Sequence, residues 1–318
     1  MQPRSQAQPV PAPAGHELNG VRGPTAAPPR VLSATRPWSW VATIVGCACA
    51  AAIAYAFWSA KTIDHQTIRD YLFDPAIVDG AVKTLELTLV AMVMGIVLGV
   101  VLALMRQSEH PGLRALSGGY IWLFRGTPVL LQILLWFNIS LVFPHLSLGL
   151  PFTGIELFDE PSNAVITPFV AAALGLGLNE GAYMAEIVRS GLMSVDRGEV
   201  DAARALGMAP SRVFRRITLP QSMRIIVPPT GNQLIGMLKT SALTSVIGFG
   251  ELLLVSERIY GENLHVMELL TVASIWYLVM TTALTLLQRP LEKRLGRAYG
   301  SRAKRGQLRL RLMGMVGR

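Results

Sequence analysis

Charge is scarce in this sequence. Acidic and basic residues make up 15% of the 318 residues while 51% are hydrophobic, against about 25% charged in a typical soluble domain. The chain therefore lacks the ionic surface of an ordinary cytosolic enzyme, and it is too apolar for a disordered protein. Its apolar residues come in long blocks, which points to a membrane. Cysteine is almost missing as well. Cys47 and Cys49 lie two apart in an apolar run, on different faces of a helix, with no histidine or further cysteine near them. That pair completes no metal site.

The signatures of chemistry are equally thin. None of the five lysines follows a glycine, so no phosphate-binding loop of the form G-x-x-x-x-G-K-[ST] exists. No H-E-x-x-H, no G-x-S-x-G and no histidine cluster occurs; His16, His65, His110, His145 and His265 are scattered outside the apolar blocks. A membrane enzyme has no catalytic constellation to stand on. If the protein does work, another subunit supplies the energy.

What is present is a series of apolar spans. Residues 1–37 hold eight of the 20 prolines and read as a disordered tail. Residues 38–60 are uncharged and flanked by Trp38, Trp40, Tyr55 and Trp58. That run is longer than the roughly 15 residues of a signal peptide's apolar region, so it should be a retained transmembrane helix. After a linker at 61–79 come spans at 81–105, 120–143, 164–188, 228–255 and 266–287. Each is long enough for the roughly 20 residues a bilayer helix needs. In the second, Gly95 and Gly99 offer a close-packing face. Arg125-Gly126-Thr127-Pro128 should break the third, with Thr127 as N-cap and Pro128 at the first helical position. The fifth opens on Pro228-Pro229. The expected fold is an all-α integral membrane protein of about six transmembrane helices.

Basic residues set the orientation. The net charge of +9 invites a nucleic-acid reading, but seven basic residues lie in 189–224 and ten in 289–318, beside apolar spans. Counted over alternate loops, twenty-four basic residues fall on one side and three on the other. Both termini are then expected in the cytoplasm, with no nucleic acid as partner. The basic segment 289–318 reads as a contact for anionic lipid.

Two regions carry functional signals. The loop at 190–225 should hold a short helix started by Asp196 and Glu199 with capping-box spacing and ended by Gly207. A second helix is expected from Ser211, carrying Val213, Phe214 and Ile217 and stopped by Pro220. Small residues with Val200, Leu206 and Met208 beside them suit docking into a partner's groove. The other signal is the polarity of 228–255. Lys239 lies eleven residues past Pro228, about 16 Å at the helical rise, which puts it near mid-membrane. A charge there costs on the order of 3 kcal/mol and should face a cavity or a partner. Glu86, Glu180 and Glu186 are the available acids, and with Asn232, Gln233 and Lys239 they are candidates for the lining of a translocation path.

The loop resembles the E-A-A-x3-G-x9-I-x-L-P motif of ABC importer permeases. The match falls on Asp201, Ala202, Ala203, Gly207, Ile217, Leu219 and Pro220, with Asp201 in place of glutamate. Phe124-Arg125-Gly126-Thr127-Pro128 is similar to the F-R-G-T-P of the polar amino-acid branch. Asn179 through Arg189 resembles its N-S-G-A-Y-x-A-E-I-x-R, and Pro228 through Gln233 its P-P-x-G-N-Q. Ser245 to Gly248, followed by Glu251-Leu252, completes the set. The family's K-D-T-S-L becomes Lys239-Thr240-Ser241-Ala242-Leu243, without the acidic residue. The resemblance covers about 80–295.

It implies a five-helix importer domain at 80–295 plus one extra N-terminal helix at 38–60, with 296–318 as a basic cytoplasmic tail. It also implies a non-catalytic inner-membrane subunit that binds no cofactor, ATP being used by a cytoplasmic ABC ATPase dimer docked on the 199–220 loop. A second permease subunit, the same or related, and an extracytoplasmic amino-acid-binding protein would complete the importer. The alternative is a secondary transporter or channel working without an ATPase, which would predict internal repeats; none is evident.

Overall fold

A computed structural model describes residues 37–60, 63–150 and 155–315. Of the tail expected at 1–37, residues 1–36 lie outside the described residues, and Pro37 opens the first helix. The chain divides into two compact units, residues 1–60 and 61–318. Among its described residues the first holds one helix, α1 (Pro37–Trp58), whose described side chains are exposed all round.

The second unit begins with structure where the sequence suggested a linker. α2 (His65–Leu72) is capped by Asp64, and α3 (Pro75–Gln107) starts at a proline capped by Asp74. The Thr67 hydroxyl and the Gln66 amide donate to the Asp64 carboxylate and hold it below its ordinary pKa. Then follow α4 (Pro111–Gly126), α5 (Val129–Phe137) and a 3-10 turn at Ile139–Leu141. An antiparallel hairpin, β1 (His145–Leu150) and β2 (Ile155–Pro161), stands next, in the register His145 opposite Pro161 with a bulge after Leu148. This hairpin is an addition to the all-α expectation. Its first strand alternates in HLSLGL, the period of a half-covered strand.

α6 (Ser162–Val165) leads into α7 (Pro168–Met193), capped by Thr167. The loop that follows holds α8 (Arg197–Ala205) and α9 (Pro210–Val213). A π turn at Phe214–Thr218 joins α9 directly to α10 (Leu219–Thr240). Pro220 therefore does not stop the helix. The wide turn pairs the Leu219 N–H with the Phe214 carbonyl five residues back, which resets the register so that the proline falls in a new first turn, where its missing donor costs least. Nor does Pro228-Pro229 open a span, for both lie inside α10. Past a 3-10 stretch (Ser241–Ile247) the chain turns at Gly248, φ 78°, into α11 (Leu252–Asn263) and then α12 (Val266–Met315). The segment expected as a separate basic tail at 296–318 continues the α12 backbone as far as Met315.

Length and composition qualify two helices as spans among the described residues, residues 75–107 and 266–294. They are four if two bent pairs each count as one: residues 111–126 with 129–137, bent by 100°, and 210–247 with 252–263, bent by 47°. That is fewer than the six read from hydropathy blocks. α7 is long enough at 26 residues but carries Asn179, Glu180, Glu186 and Arg189, and span 228–255 is broken at Gly248.

The core lies where α3 crosses α7, the most extensive helix pairing of the unit. Leu87, Ala91, Ile133, Ala172 and Leu176 form its centre and Met92, Ala103, Met184 and Val188 a second cluster. Gly99 makes the crossing close. A Cβ on Gly99 would clash with the Met184 side chain and stand 2.9 Å from the Ala185 nitrogen. Since that nitrogen belongs to a helix backbone, the neighbour cannot yield cheaply. Gly99→Val is expected to destabilise the protein by about 1–3 kcal/mol. Thermal unfolding of the detergent-solubilised protein checks this, with Gly119→Val, at an open position of α4, as the control that leaves the melting temperature within error.

Candidate functional site

Two places bring the sequence-derived candidates together: a polar cavity inside the helices and the loop that projects from them.

The cavity, about 260 Å³, is lined by Val129, Asn179, Glu180, Tyr183, Gln233 and Thr240, among others. Its walls come from α5, α7 and α10. On α10, Gln233, Gly236 and Thr240 recur at helical spacing, so one stripe of that helix faces the space. Glu180 is 6% exposed and accepts hydrogen bonds from Gln233 Nε2 at 3.0 and 3.2 Å. A buried carboxylate needs such donors. At a cavity wall, the same group can exchange them for an ammonium or guanidinium.

The break at 126–129 builds the wall at Val129. The chain bends by 100° there, and inside a membrane the freed carbonyls at the end of α4 must find donors within the protein. Gln132 supplies them. Its Nε2 donates to the Phe124 carbonyl (3.0 Å), the Thr127 carbonyl (3.1 Å) and Thr127 Oγ1 (2.8 Å). Asn179 Nδ2 donates to the Phe124 carbonyl as well, at 2.7 Å, and lies 3.3 Å from Gln132 Oε1. Thr127 does not cap α5 as the sequence suggested. Its hydroxyl donates back to the Leu123 carbonyl, and Pro128 takes the N-cap position. Arg125 lies over the Tyr183 ring, 5.1 Å from its centroid.

The second break is clasped in the same manner. Glu251, fully buried, accepts from the Leu253 and Leu254 N–H groups at the start of α11 and from the Tyr277 hydroxyl of α12. The Leu252 N–H donates to Thr84 on α3.

Of the path candidates, Glu180 and Gln233 meet at the cavity. Asn232 faces outward and approaches Gln288, and Glu186 pairs with Arg189 at 2.7 Å. Glu86 and Lys239 are exposed, and among the described residues neither forms an ion pair. Gln132 was missed. A lone amide among the apolar residues of Val129–Phe137 was itself a signal, since an unpartnered amide in that setting is costly.

In the projecting loop, α8 ends as the sequence suggested. Gly207 has φ 75°, its N–H donates to the Arg204 carbonyl, and the Met208 N–H donates to the Ala203 carbonyl. This is the two-bond pattern of a glycine-terminated helix. Asp196 caps α8 through the Gly198 N–H at 2.8 Å. The capping box is not reciprocal: the Glu199 carboxylate accepts from Gln221 at the start of α10 instead. Asp201 and Ala202 are exposed, Ala203 is buried, and Leu206 stands 84% exposed at the tip. Ile217 is half-buried, and Leu219 and Pro220 are exposed at the first turn of α10. Asp201, Arg204, Val200 and Met193 also border a cavity of about 520 Å³ beneath α8.

Comparison with known proteins identifies relatives of the chain. The chain is 40% identical over 287 residues to the arginine transport system permease protein ArgU of Corynebacterium glutamicum, covering 87% of each chain. Residues 79–318 are only about three quarters of the sequence, so that likeness reaches into the first 78 residues, beyond the 80–295 of the motif match. The probable amino-acid permease protein YxeN of Bacillus subtilis is 35% identical over 225 residues, 71% of this chain and 93% of YxeN. Among solved structures, an amino acid ABC transporter with histidines superposes with a TM-score of 0.62 at 33% identity, over 73% of this chain and 99% of that one. The MetNI methionine ABC transporter, at 18% identity and a TM-score of 0.55, shares the fold. The profile of binding-protein-dependent transport system inner membrane components matches residues 95–297. By that match and by these identities, the chain belongs to the family of binding-protein-dependent transport system inner membrane components.

Proposed function

We propose that the chain is the permease subunit of an ATP-driven importer of polar amino acids, with the cavity at Glu180 as part of its path. The observation that carries this reading is the pairing of Glu180 with Gln233. It places an exchangeable carboxylate on α7 against the helix that runs unbroken from the projecting loop. A carboxylate there suits the ammonium of an amino acid or a basic side chain, and relatives named for arginine transport fit that chemistry. The chain itself has no catalytic role. A cytoplasmic ATPase dimer would grip the exposed face around Asp201, Ala202 and Leu206, an extracytoplasmic binding protein would deliver substrate, and a second permease subunit would close the path. The charge asymmetry supports a cytoplasmic position for both termini. Lys239, Glu86 and Asn232, exposed in the single chain, would then face the second subunit or the path.

Uptake into proteoliposomes holding the permease, its ATPase and its binding protein tests the reading. ATP-dependent uptake of a polar amino acid is expected, and uptake driven by an ion gradient without ATPase would overturn it. Glu180→Gln removes the charge while keeping the shape. Loss of a charged hydrogen bond of about 1.5–3 kcal/mol predicts a fall in apparent affinity on the order of 10- to 100-fold. Unchanged uptake would take Glu180 out of the path.

Gly207→Ala probes the loop separately. Nothing lies within 4 Å of the added methyl, so its cost is the left-handed backbone alone, about 1–2 kcal/mol. Weaker co-purification with the ATPase and less uptake per ATP hydrolysed are expected, with the fold intact by circular dichroism. Full coupling in this variant would show that α8 need not end at Gly207.

A further inference from the structure

A second cavity lies apart from the polar one and has the opposite character. About 320 Å³ in volume, it is walled by Met92 and Ile96 of α3, Leu234 and Ile235 of α10, and Leu284 and Leu287 of α12. Leu287 and Leu291 at its edge are 72% and 49% exposed, so the groove opens outward between α10 and α12, where a membrane protein meets acyl chains.

One end of this groove is basic. Gln288 on α12 reaches the Pro228 carbonyl of α10, while Tyr277 reaches Glu251, further along the chain from α10. The two helices are therefore antiparallel, and the start of α10 lies beside the distal part of α12. Val227 and Leu291 also line the groove; Arg224 precedes Val227 by three residues on α10, and Arg294 follows Leu291 by three on α12, so each lies about one turn from a lining residue and on its face. Arg289 and Lys293 stand exposed beside them. The nearby acid, Glu292, accepts from Gln288 at 2.6 Å. Among the described residues none of the four cations has an ion-pair partner.

An apolar slot that opens to lipid and ends in uncompensated cations matches one class of molecule. We infer that the groove between α3, α10 and α12 is a binding site for an anionic phospholipid, with an acyl chain between Ile96, Leu234 and Leu287 and the phosphate at Arg224 and Arg294. A neutral lipid would fill the walls equally well but gives the arginines nothing to pair with. Guanidinium groups bind phosphate oxygens bidentately, and each basic residue at a membrane surface strengthens anionic-lipid binding about fivefold. The inference needs only the membrane setting, not the importer reading.

Native mass spectrometry of the purified full chain, titrated with phosphatidylglycerol or phosphatidylcholine of matched acyl chains, tests it. The wild type should retain one phosphatidylglycerol in preference to phosphatidylcholine. The double variant Arg224→Gln with Arg294→Gln should lose about fivefold in phosphatidylglycerol affinity per arginine removed, with phosphatidylcholine binding unchanged. Leu234→Phe, which narrows the walls, should weaken both lipids. Arg212→Gln with Arg216→Gln, in the projecting loop, should change neither. No preference in the wild type overturns the inference, as does an equal loss in the loop variant, which would mark a general charge effect. So does disulfide formation between two chains at Leu287→Cys, with Cys47 and Cys49 changed to serine and no retained lipid. That outcome would make the groove a contact between copies.

Discussion

Backbone that leaves the helix inside a membrane has no water to satisfy it, so its N–H and C=O groups must be met by the protein itself. The second unit leaves the helix twice within apolar surroundings, at 126–129 and at 248–251, and both departures are possible because a few polar side chains are dedicated to them. Gln132 and Asn179 answer the carbonyls that α4 leaves open, and Glu251 and Thr84 answer the amides at the start of α11. The first bend brings Val129 to the wall of the polar cavity, opposite the residues of α7 and α10.

The continuity of α9, the π turn and α10 gives the unit its mechanical logic. Glu199, in the first turn of α8, holds Gln221, and Gln233 lies twelve residues further along the same helix, about 18 Å at the helical rise. The loop and the Glu180–Gln233 contact are thus joined by one helix, interrupted in its regularity only by the π turn and the two prolines. α7, by contrast, is fixed against α3 through glycines that admit no side chain between them. The Glu180–Gln233 pair therefore joins a helix continuous with the loop to a helix packed closely on α3.

Much of this was legible in the sequence, and the omissions have physical causes. Gly207 was readable because few residues tolerate a positive φ. The break at 126–129 was readable because glycine and proline mark it. What pattern could not supply was the partner of each polar group, since a partner fifty residues away leaves no local trace; Glu180 with Gln233 and Phe124 with Asn179 are both of this kind. Pro220 and Pro228-Pro229 misled as helix boundaries because a π turn and the surrounding helices absorb them. The hairpin at 145–161 went unread because its strands are short and sit between stronger apolar runs. α7 falls below the apolarity of the two clear spans for the reason that makes it interesting, its polar residues.

Gln132 imposes a restriction of a different sort on the chain. Its nitrogen faces three acceptors, while its oxygen is the atom that Asn179 approaches. A glutamate there would have almost the same volume and shape, yet it would set a carboxylate against two carbonyls and a hydroxyl and offer them nothing. Leucine would fit the apolar neighbours and leave the Thr127 carbonyl bare, with Asn179 alone on the Phe124 carbonyl. The position is therefore selected by the direction of its hydrogen bonds and not by size or polarity, so that neither of the two most conservative exchanges, judged by side-chain bulk, is conservative for this fold.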